Sequence, residues 1–190
     1  MRDRLLLPGM LALVLLLASV DPVLAQQTNR HGGTLTLATR GDPPAGFDTM
    51  RTSSIALHQV GGAIFGAGNL VMRCRENMYA TCPYLATNWA SNPSFTEWTF
   101  TIREGVRWHD GEPFDARDVK FWLDLVFFGA EGNGAVRAPA YFANELGRAT
   151  GVEVLPFGRV KVTFAERNPH FPEILANPRF TIAHPRHLME

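Results

Sequence analysis

The run from Glu97 to Phe128, EWTFTIREGVRWHDGEPFDARDVKFWLDLVFF, dictates more of the fold than any other part of the chain. Trp98, Phe100 and Ile102 alternate with Thr99, Thr101 and Arg103, a period of two that predicts a strand with one buried face. Glu104-Gly105 and Asp110-Gly111 predict two turns with a short strand between them, because glycine reaches positive φ without steric cost. Asp115 stands where an N-cap belongs, and Asp118, three residues on, suits the positive end of a helix dipole. The helix beyond carries Val119, Phe121, Trp122, Leu123, Leu125, Val126, Phe127 and Phe128. A surface so apolar predicts burial on more than one side. Nothing in this stretch has the pattern of a catalytic site.

The rest of the chain supports a globular reading. It has 190 residues, 46% of them hydrophobic, with 18 basic and 18 acidic side chains. Balanced charge supplies no bulk attraction to nucleic acid. Met1 to Ala25 reads as a cleavable signal peptide, with Arg2 and Arg4 ahead of an apolar core and Val23-Leu24-Ala25 before the cut. A membrane anchor is the alternative, but the apolar run is shorter than the ~20 residues a span needs. No cysteine sits at the expected cleavage point, where Gln26 stands, so a soluble periplasmic product is expected rather than a lipoprotein.

Gly32-Gly33 and Gly41-Asp42-Pro43-Pro44 bracket an alternating strand, Thr34 to Thr39. Ile55 to Leu70 reads as a helix weakened by Gly61, Gly62, Gly66 and Gly68, which leave room for close packing or a crossover between lobes. No following Lys-Ser/Thr makes these glycines a phosphate loop. Leu70–Cys74 and Cys82–Ala86 flank a polar stretch and predict a hairpin with one cysteine near each arm. In an oxidising compartment a Cys74–Cys82 disulfide is expected; two buried free thiols remain the alternative. A metal site fits poorly, because the pair lacks the spacing of zinc ligands. Leu85 and Trp89, four apart, suggest one side of a short helical turn. Val152 and Val154, then Val160, Val162 and Phe164, alternate on either side of Pro156-Phe157-Gly158 and predict a second hairpin.

Catalytic and metal chemistry find little support. His31, His58, His109, His170, His184 and His187 are scattered, and no His-Glu-x-x-His pair occurs. His109-Asp110 looks like a general-base pair, but sequence neighbours rarely face each other and Asp110-Gly111 is a turn dipeptide. There is no Gly-x-Ser-x-Gly elbow. No enzyme activity, metal or cofactor is expected.

Several segments resemble family 5 extracytoplasmic solute-binding proteins, the peptide/nickel-type binding components of ABC importers. They are Arg103-Glu104-Gly105-Val106, His109-Asp110-Gly111-Glu112-Pro113-Phe114 and Ala116-Arg117-Asp118-Val119-Lys120-Phe121. Weaker matches are Gly32-Gly33-Thr34-Leu35, Pro83-Tyr84-Leu85-Ala86 with Trp89, Asn168-Pro169-His170-Phe171-Pro172 and Pro185-Arg186-His187, with arginine in the usual lysine position. The resemblance implies an α/β (α+β) fold, a two-lobe architecture of periplasmic-binding-protein type II. It is expected to be incomplete here, with the first strand of the large lobe and the smaller inserted lobe. The expected division is signal peptide 1–25, first lobe 26–62, inserted lobe 63–178 and return to the first lobe 179–190. Members are several times longer, so a fragment is expected.

The resemblance also implies that the loop after the first strand lines the ligand cleft. Met50, Arg51, Thr52, Ser53 and Ser54 are its candidates, offering backbone groups to an extended peptide. An ordinary loop, with Ser53 or Ser54 capping the next helix, is the plainer alternative. Peptide is the expected ligand, with nickel or a nickel chelate, sugars and haem as others found in the family. ABC permease subunits are the expected partners of a monomer. A secreted hydrolase or a chaperone-like module are the competing classes.

Overall fold

The computed structural model describes residues 68–129, 144–182 and 184–189, together with Thr34, Thr36, Ala38 and Gly41. The chain divides into two compact units, Met1–Thr36 and Leu37–Glu190. In the first, Thr34 and Thr36 are exposed and outside any strand; the rest of that unit, with the expected signal peptide, lies outside the described residues. All that follows concerns the second.

Its elements are β1 (Val71–Arg73), β2 (Thr81–Pro83), β3 (Ala86–Ser91), β4 (Glu97–Ile102), α1 (Ala116–Phe127), β5 (Ala149–Leu155), β6 (Arg159–Phe164), α2 (Phe171–Leu175) and α3 (Arg186–Met189). The β1–β2 hairpin is a sheet of its own, and a four-stranded antiparallel sheet runs in the order β3-β4-β6-β5. Trp98 faces Val162 and Phe100 faces Val160 across β4 and β6, so the alternating apolar residues share one face. The opposite face carries threonines and the Lys161–Glu153 ion pair at 3.2 Å.

Helix α1 and α2 close the apolar face. Phe100 is fully buried and meets Phe171 edge-on at 5.8 Å, and Phe164 meets Phe171 at 4.8 Å. Trp122, Leu123, Val119 and Val126 from α1 join the same core. Val154 breaks the expected alternation: it is 41% exposed on the edge strand.

The start of α1 is built by its own sequence. Asp115 accepts from the Arg117 backbone N–H at 2.7 Å, and Asp118 Oδ2 accepts from the Asp115 N–H at 2.9 Å, a reciprocal capping box. The neighbouring Arg117 guanidinium holds the Asp115 carboxyl below the usual carboxylate range. Ahead of it, Gly105 and Gly111 turn the chain at φ +75° and +94°. The expected strand between them is a single bridge, Arg107 to Pro113, closing a tight loop of its own.

Leu85 and Trp89 do not share a helical turn. Ala86–Ser91 is strand β3, with Trp89 opposite Phe100. The i, i+4 spacing was overridden because β4 presents an unpaired edge, and pairing satisfies the backbone groups of the whole segment.

Candidate functional site

Met50, Arg51, Thr52, Ser53 and Ser54 lie outside the described residues. The chain comes into view at Gly68, where it runs against the segment returning from α2. Ile182 N–H donates to the Gly68 carbonyl at 2.9 Å. A Cβ on Gly68 would stand 2.8 Å from the Ile182 carbonyl oxygen and 2.9 Å from Thr181 Cγ2. Only glycine lets the two backbones lie this close.

Asn69 secures the crossing. It is 6% exposed, and its Nδ2 donates to the Leu175 carbonyl at 3.0 Å and the Asn177 carbonyl at 2.8 Å. Its Oδ1 faces the buried Thr181 hydroxyl at 3.2 Å, which also lies 2.8 Å from the Pro178 carbonyl. One buried amide thereby satisfies the end of α2 and the turn after it, which would otherwise carry orphan carbonyls. On the other side, Ala86 N–H donates to the Leu70 carbonyl at 2.7 Å, tying the crossing to the four-stranded sheet.

Beside it stands the β1–β2 hairpin. Met72 is opposite Cys82, and Cys74 and Cys82 are joined by a disulfide with Cα atoms 5.1 Å apart. Arg73 ties this hairpin to α2 by donating to the Glu173 carbonyl at 3.1 Å. The tip is otherwise bare, with Met78 and Tyr79 66% and 93% exposed. Closing a loop of 8 residues should restrict the unfolded chain by about 2–3 kcal/mol. Cys82→Ser is therefore expected to lower the unfolding free energy by that amount in oxidising urea titrations. In dithiothreitol the variant and parent should coincide; a difference of the same size there would assign the loss to packing instead.

A second polar cluster joins α3 to the turn before α1. His187 Nε2 lies 2.7 Å from Asp110 Oδ2 and its ring is 6.4 Å from that of Trp108. Arg186 Nε is 4.0 Å from Asp118 Oδ1 on a carboxylate that is 3% exposed overall. The His187 hydrogen bond, with that of the Glu112 backbone N–H, holds the Asp110 carboxyl below its ordinary value of 3.8. Asp110 thus pairs with a histidine far along the chain rather than with its neighbour His109.

Sequence reasoning missed Asn69, Thr181 and the His187–Asp110 pair as structural determinants. A lone asparagine between apolar residues was the one visible signal for Asn69. Among the described residues, the buried polar side chains Asn69, Asp118 and Thr181 all hold backbone or ion-pair partners. Asn69 and Thr181 brace the crossing, and Asp118 braces the start of α1.

This small sheet-and-helix body shares its fold with part of the two-lobe periplasmic binding proteins. The chain superposes on the binding protein AgaA from Agrobacterium tumefaciens R10, solved with agropinic acid, at a TM-score of 0.63 and 23% identity, covering 78% of this chain and 28% of that one. It superposes on OppA from Haemophilus influenzae, solved with the peptide RPPGFSPFR, at a TM-score of 0.58 and 23% identity, covering 74% and 28%.

The chain belongs to the bacterial extracellular solute-binding proteins, family 5, whose middle-region profile matches residues 81–189. It is similar to the periplasmic oligopeptide-binding protein OppA of Haemophilus influenzae, at 31% identity over 87 residues, 45% of this chain and 15% of that relative. The match spans less than a third of the length of each of these relatives.

Proposed function

We propose that this chain serves a periplasmic ABC import system as part of its solute-capturing component, and that the solute is a peptide. The observation that carries the ligand class is the identity to an oligopeptide-binding relative over 87 residues. Capture is proposed for a protein of the relatives' length, with the inserted lobe bounded near residues 63 and 178. Lobe closure about the paired segments at Gly68 and Ile182 would trap the peptide and present the closed form to a permease, the ligand biasing an open–closed equilibrium. Adjacent connecting segments support this reading, because rotation about a narrow pair disturbs little packing. Met50, Arg51, Thr52, Ser53 and Ser54 would meet the peptide through their backbone groups. The role is binding rather than catalysis.

Calorimetric titration with mixed tri- to pentapeptides tests this on the 190 residues and, where the reading frame continues, on the longer product. Saturable peptide binding by the longer product is expected, and Thr52→Pro should weaken it by removing a backbone donor. Saturation by nickel with histidine, and not by peptides, would transfer the chain to the nickel branch. Tight binding by the 190 residues alone would overturn the view that further segments share the site.

A further inference from the structure

Two signatures that resemble the family's, the His-Asp-Gly turn and the Pro-Arg-His segment, have so far no role, yet the fold brings them together across 77 positions of sequence. We infer that they are two halves of one clasp, which pins the returning chain to the body of the inserted lobe just beyond the Gly68–Ile182 crossing. The inference rests on the lobe-closure reading for its mechanical meaning, though not for its geometry.

The clasp has two points on adjacent residues. His187 holds Asp110 at 2.7 Å with the Trp108 ring alongside, and Trp108 is itself fixed edge-on against Phe114 at 5.4 Å. Arg186 faces Asp118, whose side chain is 4% exposed and whose other oxygen already caps α1. A buried carboxylate needs its charge met, so Arg186 completes what the capping box begins. The His187–Asp110 pair, partly open to solvent on both sides, is weak alone. Once one closes, the other becomes intramolecular and closes at high effective concentration. Pro185 precedes both and fixes φ there. With both points closed, α3 moves with the inserted lobe.

Around Asp110 lie His187, His109 and the Glu112 N–H, while Arg186 faces Asp118 and acts on Asp115 at the start of α1. Asp110 is depressed in the folded state. Its contribution is present above the ordinary value of 3.8 and disappears as pH falls through its lower folded value. Protonation of Asp110 in acid accordingly weakens the His187 point.

Amide exchange by mass spectrometry on the whole chain, without ligand, reads the clasp directly. Asp110→Asn and His187→Ala should each speed exchange of residues 186–189 about threefold, and the double variant no more than the larger single effect. Arg186→Gln should speed exchange further in either variant, by less than it does alone. Exchange across β4 and β6 should stay unchanged, which verifies the fold. In NMR titration the Asp110 carboxyl midpoint should rise in His187→Ala. Unchanged exchange at 186–189, or effects of Asp110→Asn and His187→Ala that simply multiply, would overturn the clasp. Peptide affinity is not read here, so the clasp and the transport proposal fail separately.

Discussion

Phe100→Ala should lower the unfolding free energy by about 3–5 kcal/mol, enough to unfold a domain of ordinary stability. Phe100 sits on a central strand of the sheet, fully buried between Val160 on β6 and Phe171 on α2. Truncation loses the transfer energy of a whole ring and leaves a void that a strand paired on both edges cannot collapse to fill. The neighbouring edge supplies the control. Val154 lies on the flanking strand at 41% exposure, and Val154→Ala should cost less than about 1 kcal/mol. Urea titration followed by tryptophan fluorescence measures both. A Phe100→Ala loss as small as that of Val154→Ala would mean that the aromatic cluster is not the centre of the core.

Asn69→Ala is the second large effect, expected at about 2–4 kcal/mol although it removes little apolar area. The carbonyls of Leu175 and Asn177 and the Thr181 hydroxyl all lose their shared partner. Buried groups left unmade cost roughly 1–3 kcal/mol each, less whatever water can enter to replace. Thr181→Val provides the comparison, since it deletes one donor and leaves the amide contacts to α2 in place. It should cost about 1 kcal/mol. If Asn69→Ala also cost only that much, water rather than the amide would be serving the α2 end. The loss should be accompanied by faster amide exchange at Ile182, whose N–H donates to Gly68.

The Glu97–Phe128 run was legible because its signals are local. Alternation put Trp98, Phe100 and Ile102 inside, and the caps of α1 lie within three residues of each other. The β5–β6 hairpin was legible for the same reason. Strand β3 was not, because Leu85 to Trp89 carries no alternation and its conformation comes from an edge already made by β4. Asn69 shows a different limit. Its hydrogen-bond partners lie more than a hundred positions away, and no spacing within a segment encodes such a meeting. His187 and Asp110 were each read by immediate neighbours, which favoured a turn and hid the pair. The expected ligand loop gave only a hydroxyl-rich composition, shared by any solvated loop.

The strand order β3-β4-β6-β5 has a consequence for how this sheet is made. It consists of two hairpins, β3–β4 and β5–β6, each closed by a short connection and each able to zip locally within microseconds. Within the sheet, joining β4 to β6 is the long-range step, as Thr101 must find Arg159. Loop-closure entropy grows only logarithmically, so doubling the length of chain between the hairpins would cost only about 0.6 kcal/mol. The connection from α1 to β5 is therefore where insertions are best absorbed. A chain made in order from its amino terminus would have its first hairpin waiting as a template for the second.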